Sequence, residues 1–129
     1  MGDGTSIGRV RGLGAAHEGA RHWWHQRLTA GANLVLMVWF FAALLFLPDF
    51  QYKTLVEWIA QPLVAVPLIL LVANVFYHIR LGLQVVIEDY LHGAEHIVFM
   101  VALNFAVIAG AALSIFSILK IAFTAGAAS

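Results

Sequence analysis

Cysteine is absent from this chain, which excludes disulfides, thiolate-held iron–sulfur clusters and thiol nucleophiles. Charge is scarce as well. Only 11% of the 129 residues are charged, seven of each sign, so the net charge is zero. No basic block offers a footprint for nucleic acid. Proline occurs three times, at Pro48, Pro62 and Pro67, leaving long stretches without a helix breaker. What fills the space is apolar: 62% of the residues, far above the level at which a soluble domain of this length can cover its surface.

The apolar residues fall into three uncharged runs, Leu28–Leu47, Trp58–Ile79 and Ile97–Leu119. Each is close to the ~20 residues that span ~30 Å of hydrocarbon as a helix. A secretory signal would put a short apolar core near the start, whereas residues 1–27 are polar and glycine-rich. The expected fold is therefore an all-α membrane protein. It has three transmembrane helices, at about 28–47, 58–88 and 96–120, behind an N-terminal cytoplasmic and interfacial segment over 1–27. Residues 1–20 are expected to be irregular. Trp23 and Trp24 suit the headgroup level, and Phe50, Tyr52 and Trp58 form a second aromatic belt. Pro62 suits a helix start, and Pro67 predicts a kink unless the helix begins later. Ala102, Ala106, Gly110 and Ser114 recur every four residues, a small-residue stripe that permits close helix approach, although a chain this rich in alanine produces such stripes by chance.

Orientation follows from arginine placement. Arg9, Arg11, Arg21 and Arg27 precede span one, while its far side offers only Lys53 before the next span. The positive-inside tendency puts the N-terminus and the 88–96 turn in the cytoplasm and the C-terminus in the periplasm. The turn carries Glu88, Asp89 and Glu95, which opposes that tendency unless a protein partner covers it.

The segment HIRLGLQVVIEDYLH, residues 78–92, concentrates the ionisable groups. On a helix, Asn74, His78, Gly82, Val85 and Asp89 share one stripe, within about 40° of His78. Arg80 lies about 200° round, on the opposite face. A histidine near a span end with a glycine one turn later fits axial ligation of haem iron, the glycine letting a flat macrocycle approach the backbone. The alternative is a histidine that hydrogen-bonds to a neighbouring helix or a headgroup. No second histidine lies inside a span, so bis-histidine haem would draw its other ligand from another subunit. Asp89 and Tyr90 stand about 16 to 18 Å along the axis from His78. A phenol with an adjacent carboxylate can donate to a quinone carbonyl and supply protons. The alternative there is an interfacial tyrosine beside solvated acids.

At these residues the chain resembles a known family, the small hydrophobic membrane anchor subunit of succinate dehydrogenase, respiratory complex II. The family's order is a histidine, a glycine, a glutamine and an aspartate–tyrosine pair at the end of the second of three helices. Here these are His78, Gly82, Gln84, Asp89 and Tyr90. The stretch RVRGLGAAHEGARHWWHQRLTA is similar to the head of that subunit, and QVVIEDYLHG looks closest to alphaproteobacterial and mitochondrial-type members.

The resemblance implies that His78 is one axial ligand of haem b, its partner histidine lying on a sister anchor. It implies that Gly82 packs against the haem, and that Arg27, with Arg21 or His22, lies on the propionate side. Tyr90, supported by Asp89, would hydrogen-bond ubiquinone. It further implies an iron–sulfur subunit, a flavoprotein subunit and a second, cytochrome b-type anchor as partners in a bacterial inner membrane. Succinate chemistry would reside on the flavin of another subunit, leaving this chain without dehydrogenation chemistry. The anchor of a fumarate reductase running the reverse reaction is the nearest alternative. A small transporter or channel subunit is another, but a proton relay wants ionisable groups near the midplane, and here they cluster at span ends.

Overall fold

The structure, a computed structural model, describes residues 16–125 and residue 127. The described residues form helices α1 (Ala16–Leu45), α2 (Tyr52–Ala60), α3 (Pro62–Tyr90) and α4 (Ala94–Ala125). Three segments are long and apolar enough to cross a membrane: Gly19–Leu45, Pro62–Tyr90 and Ala94–Ala125, of 27, 29 and 32 residues. At 1.5 Å rise per residue each exceeds the ~30 Å of hydrocarbon, so its ends project into the headgroup layer. The expected three-span, all-α membrane fold is the one the chain adopts.

The helices overrun the uncharged runs. α1 begins at Ala16, well before Leu28, because polar side chains limit burial in lipid without weakening the backbone ladder. Residues 16–20, expected to be irregular, are helical; residues 1–15, with Arg9 and Arg11, lie outside the described residues. The second span does not start at Trp58. Residues 52–60 form the separate helix α2, and Gln61 is extended at φ −69°, ψ 130°. Pro62 accounts for the break. A residue before proline is pushed out of the α region, and proline itself fits the first helical position, where its missing N–H costs nothing. Pro67 lies inside α3, which continues through it to Tyr90.

In the loop before α2, the Asp49 carboxylate accepts the Gln51 N–H at 3.0 Å. Hydrogen bonding from Thr54 and from the Gln51 backbone holds that carboxyl below its ordinary value. This loop contact is therefore present above the usual carboxylate range and fades as pH falls through the lowered value. At the other end of α3 the chain reverses in three residues. Gly93 takes φ +78°, a conformation costly for any residue with a Cβ.

The spans stand in a row rather than a triangle. α3 lies between α1 and α4 and packs against both, and α2 leans on α3 and α4. The buried apolar side chains follow suit: Val64, Ala65, Leu68, Leu71 and Leu81 on α3, with Leu103 on α4. On α1 the buried side chain is polar, Thr29.

Of the small-residue stripe on α4, one member matters most. A Cβ at Gly110 would come within 2.6 Å of the Phe76 ring, whereas Ala102 and Ala106 are exposed. Each i+4 step drifts about 40° round the helix, so a stripe of four cannot keep all members on one contact. Gly110→Val is expected to destabilise the purified protein by roughly 1–3 kcal/mol through overpacking. Thermal unfolding in detergent measures the loss, and Phe76→Leu in the same chain should recover part of it.

Candidate functional site: a polar seam beside an open groove

α3 alternates its polar side chains between two neighbours. Asn74 and His78, one turn apart, reach α1; Phe76 and Arg80, about 200° round from them, reach α4. On the α1 side, Asn74 Nδ2 donates to the Asn33 Oδ1 at 2.7 Å and to the Thr29 carbonyl at 2.9 Å. His78 Nδ1 lies 3.0 Å from Thr29 Oγ1. That hydroxyl also lies 2.9 Å from the His25 carbonyl and 3.0 Å from that of Gln26. The result is a polar seam of Asn33, Asn74, Thr29 and His78 within an otherwise apolar contact. In hydrocarbon such groups need partners inside the protein, and here they supply one another.

On the α4 side, Arg80 Nε donates to Asn104 Oδ1 at 2.6 Å, and Asn104 Nδ2 donates to the Met100 carbonyl at 2.8 Å. The Arg80 Nε thus finds a neutral amide on the next span, which takes the donor without burying a second charge.

The candidate site residues occupy three places at one end of the row. His78 and Arg27 line a groove of about 320 Å³ with Trp23, Gln26 and Ala30. The Arg27 guanidinium lies 4.8 Å above the Trp23 ring, and Trp23 stacks on Trp24 at 6.1 Å. Arg21 and His22 fall in a second cavity, also about 320 Å³, with His25, Tyr77, Arg80 and Gln84. His22 Nε2 is buried there and has no hydrogen-bond partner among the described residues. The three residues expected on one propionate side are thus divided, Arg27 standing with His78 and the other two with Arg80. Asp89 and Tyr90 end α3 in the open, Tyr90 at 79% exposure. Beside them Gln84 Nε2 donates to Glu88 at 2.8 Å. At Gly82 a Cβ would meet nothing within 4 Å, so packing inside this chain does not demand a glycine there.

Thr29, Asn33 and Asn104 escaped the sequence reading. A signal was present: Thr29 and Asn33 are four apart in one uncharged run, as Asn74 and His78 are in the next. Two matched i, i+4 polar pairs on neighbouring spans are a hydrogen-bonding register. Among the described residues no cluster of three or more His, Cys, Asp or Glu could hold a metal ion alone.

A row of three spans, with polar residues gathered at one end, defines a multi-pass membrane subunit with open faces. The chain belongs to the succinate dehydrogenase/fumarate reductase transmembrane subunit family, which it matches over residues 1–121. It is 32% identical over 87 residues to the succinate dehydrogenase hydrophobic membrane anchor subunit of Rickettsia bellii (strain RML369-C), covering 67% of this chain and 70% of that one. To the corresponding subunit of Paracoccus denitrificans it is 31% identical over 105 residues, covering 79% and 81%. No solved structure matches at a comparable level of significance.

A double-mutant cycle tests the α3–α4 contact. Arg80→Leu, Asn104→Leu and the pair should show a coupling on the order of 1 kcal/mol in detergent unfolding, the usual size for hydrogen bonds between membrane helices. Additive losses would show that the contact contributes nothing.

Proposed function

We propose that this chain is the membrane anchor of a succinate:ubiquinone oxidoreductase, with His78 an axial ligand of haem b and Asp89 and Tyr90 part of the ubiquinone site. The observation that carries the haem reading is the groove shared by His78 and Arg27. An imidazole at the wall of an open groove can ligate iron, and a guanidinium in the same groove can neutralise a propionate. The bare flank of α3 at Gly82 leaves room for a flat ring. Among the described residues His78 lies farther from a span end than any other histidine, so a second axial ligand would come from a sister anchor closing the groove. Arg21 and His22 would serve the propionate side only if the macrocycle or its environment reaches their cavity; Arg27 is the better candidate.

Haem b, when bound, supplies a centre that takes up one electron at a time. The chain's own residues do the rest. His78 orients, Arg27 compensates charge, and the apolar faces of α1 and α3 exclude water. Ubiquinone reduction consumes two electrons and two protons. The Tyr90 hydroxyl would donate to a quinone carbonyl, and Asp89, next in sequence, would orient it or relay protons from water. Both lie exposed at the end of α3, so their site would be completed by the iron–sulfur subunit docking on the acidic turn. A flavoprotein subunit would oxidise succinate and feed that subunit.

Arg21 and Arg27 lie at the same end as Tyr90, which favours a bacterial cytoplasmic membrane with the N-terminus inside and the C-terminus periplasmic. Two measurements test this reading. His78→Ala should abolish the b-type signal in reduced-minus-oxidised spectra of the purified complex; an unchanged signal would refute ligation. Tyr90→Phe should lower succinate–quinone reductase activity at least tenfold, on the order of 1.4 kcal/mol in the barrier, while sparing succinate oxidation by an artificial dye. Equal loss of both activities would remove Tyr90 from the quinone site.

A further inference from the structure

His78 reaches Thr29 through Nδ1, and this contact has a direction. A threonine hydroxyl has one proton to give and two lone pairs to receive with. Thr29 Oγ1 sits 2.9 Å from the His25 carbonyl and 3.0 Å from the Gln26 carbonyl, acceptors on its own helix that have no proton to offer. With its proton directed at those carbonyls, the back-bonding habit of threonine in a helix, the oxygen faces the imidazole as an acceptor at 3.0 Å. The ring nitrogen there must then be Nδ1–H. In a neutral imidazole the other nitrogen, Nε2, keeps the free lone pair.

We infer that Thr29 is a positioning residue for His78: its hydroxyl accepts the Nδ1–H, holds the ring against α1 and commits Nε2 to iron. The inference rests on the reading of His78 as a haem ligand and adds the group that selects the tautomer. Three further features support it. Thr29 is 8% exposed, so water does not compete freely for the contact. The hydroxyl cannot drift, since two carbonyls of α1 fix it. Asn74, one turn before His78, ties α3 to the Thr29 carbonyl at 2.9 Å and to Asn33 at 2.7 Å, which sets the rotation of α3 against α1. The ring is thus oriented by a neutral oxygen, a weaker acceptor than a carboxylate. A hydrogen bond from Nδ1–H makes the imidazole a better donor to iron and favours the oxidised metal.

The experiment uses the whole complex with Thr29→Val, Thr29→Ala and Thr29→Ser. Readouts are haem per complex, the haem midpoint potential from optical titration, and the low-spin ferric resonance. Val and Ala remove the acceptor, so the potential should rise and the ferric resonance should move. Haem retention should weaken, by roughly 10- to 100-fold in affinity if the second shell behaves as in other metal sites. Ser keeps the hydroxyl and should stay close to the parent in all three. Loss of haem in Val and Ala with retention in Ser also supports the assignment, because the hydroxyl and not the methyl then decides. A native potential and resonance in Val or Ala overturns it, as does a Ser variant that fails as Val does. His78→Ala separates the two levels. If that variant keeps its haem signal, the ligand reading itself falls; if it loses haem while Val is native, only the role of Thr29 falls.

Discussion

A polar group inside a bilayer has no water to fall back on, and the arrangement of α3 between its neighbours follows from that constraint. Asn74, His78 and Arg80 all lie on one helix, and each must find a partner within the protein or at the membrane surface. α1 answers the first two through Asn33 and Thr29, and α4 answers the third through Asn104. The pairs have different partners on different sides, so they fix both the order of the helices and their rotation. Apolar contact between membrane helices lacks the hydrophobic drive it has in water and specifies register poorly. A few amides and hydroxyls do the specifying instead.

The same constraint couples fold to site. The seam that aligns α1 with α3 ends at His78, so the residue proposed to ligate iron is held by the interface that aligns the helices. Arg27 borders the groove beside the imidazole because Trp23, Gln26, Arg27 and Ala30 form one stripe of α1, next to the face that carries Thr29. The ring on one face of α3 and Arg80 on the other are separated by the helix itself. That separation explains why Arg21 and His22, although close in sequence to Arg27, join Arg80 in a different cavity. Helical rotation distributes these side chains, not their spacing along the chain.

Much of this was legible in the sequence. Charge depletion located the three spans, and the 100° step per residue put Asn74 with His78 and Arg80 opposite. Span limits were less legible, because the lack of charge marks where lipid begins and not where a helix does; α1 therefore starts at Ala16. The helix α2 was hidden by Trp58, Ile59 and Ala60, which read as the start of a span until the extended Gln61 before Pro62 separates them. Thr29 and Asn104 were not singled out because single polar residues in apolar runs are common. Only their cross-helix partners, invisible in one dimension, give them meaning. Asp89 and Tyr90, the residues proposed for the quinone, are legible and lie exposed at the end of α3.

α1 has one further consequence. Apart from Thr29, no side chain of its membrane-spanning stretch Gly19–Leu45 is buried within the chain, and Leu34, Val35, Val38 and Phe41 all face outward. Hydrogen bonds from Thr29 and Asn33 help hold the helix to α3, and such bonds can re-form with other partners in the membrane. An orphan copy would therefore be a half-finished surface, open to wrong neighbours and to the proteases that survey the bilayer. For such a subunit, supply matched to that of its companions is as much a structural requirement as any contact inside the chain.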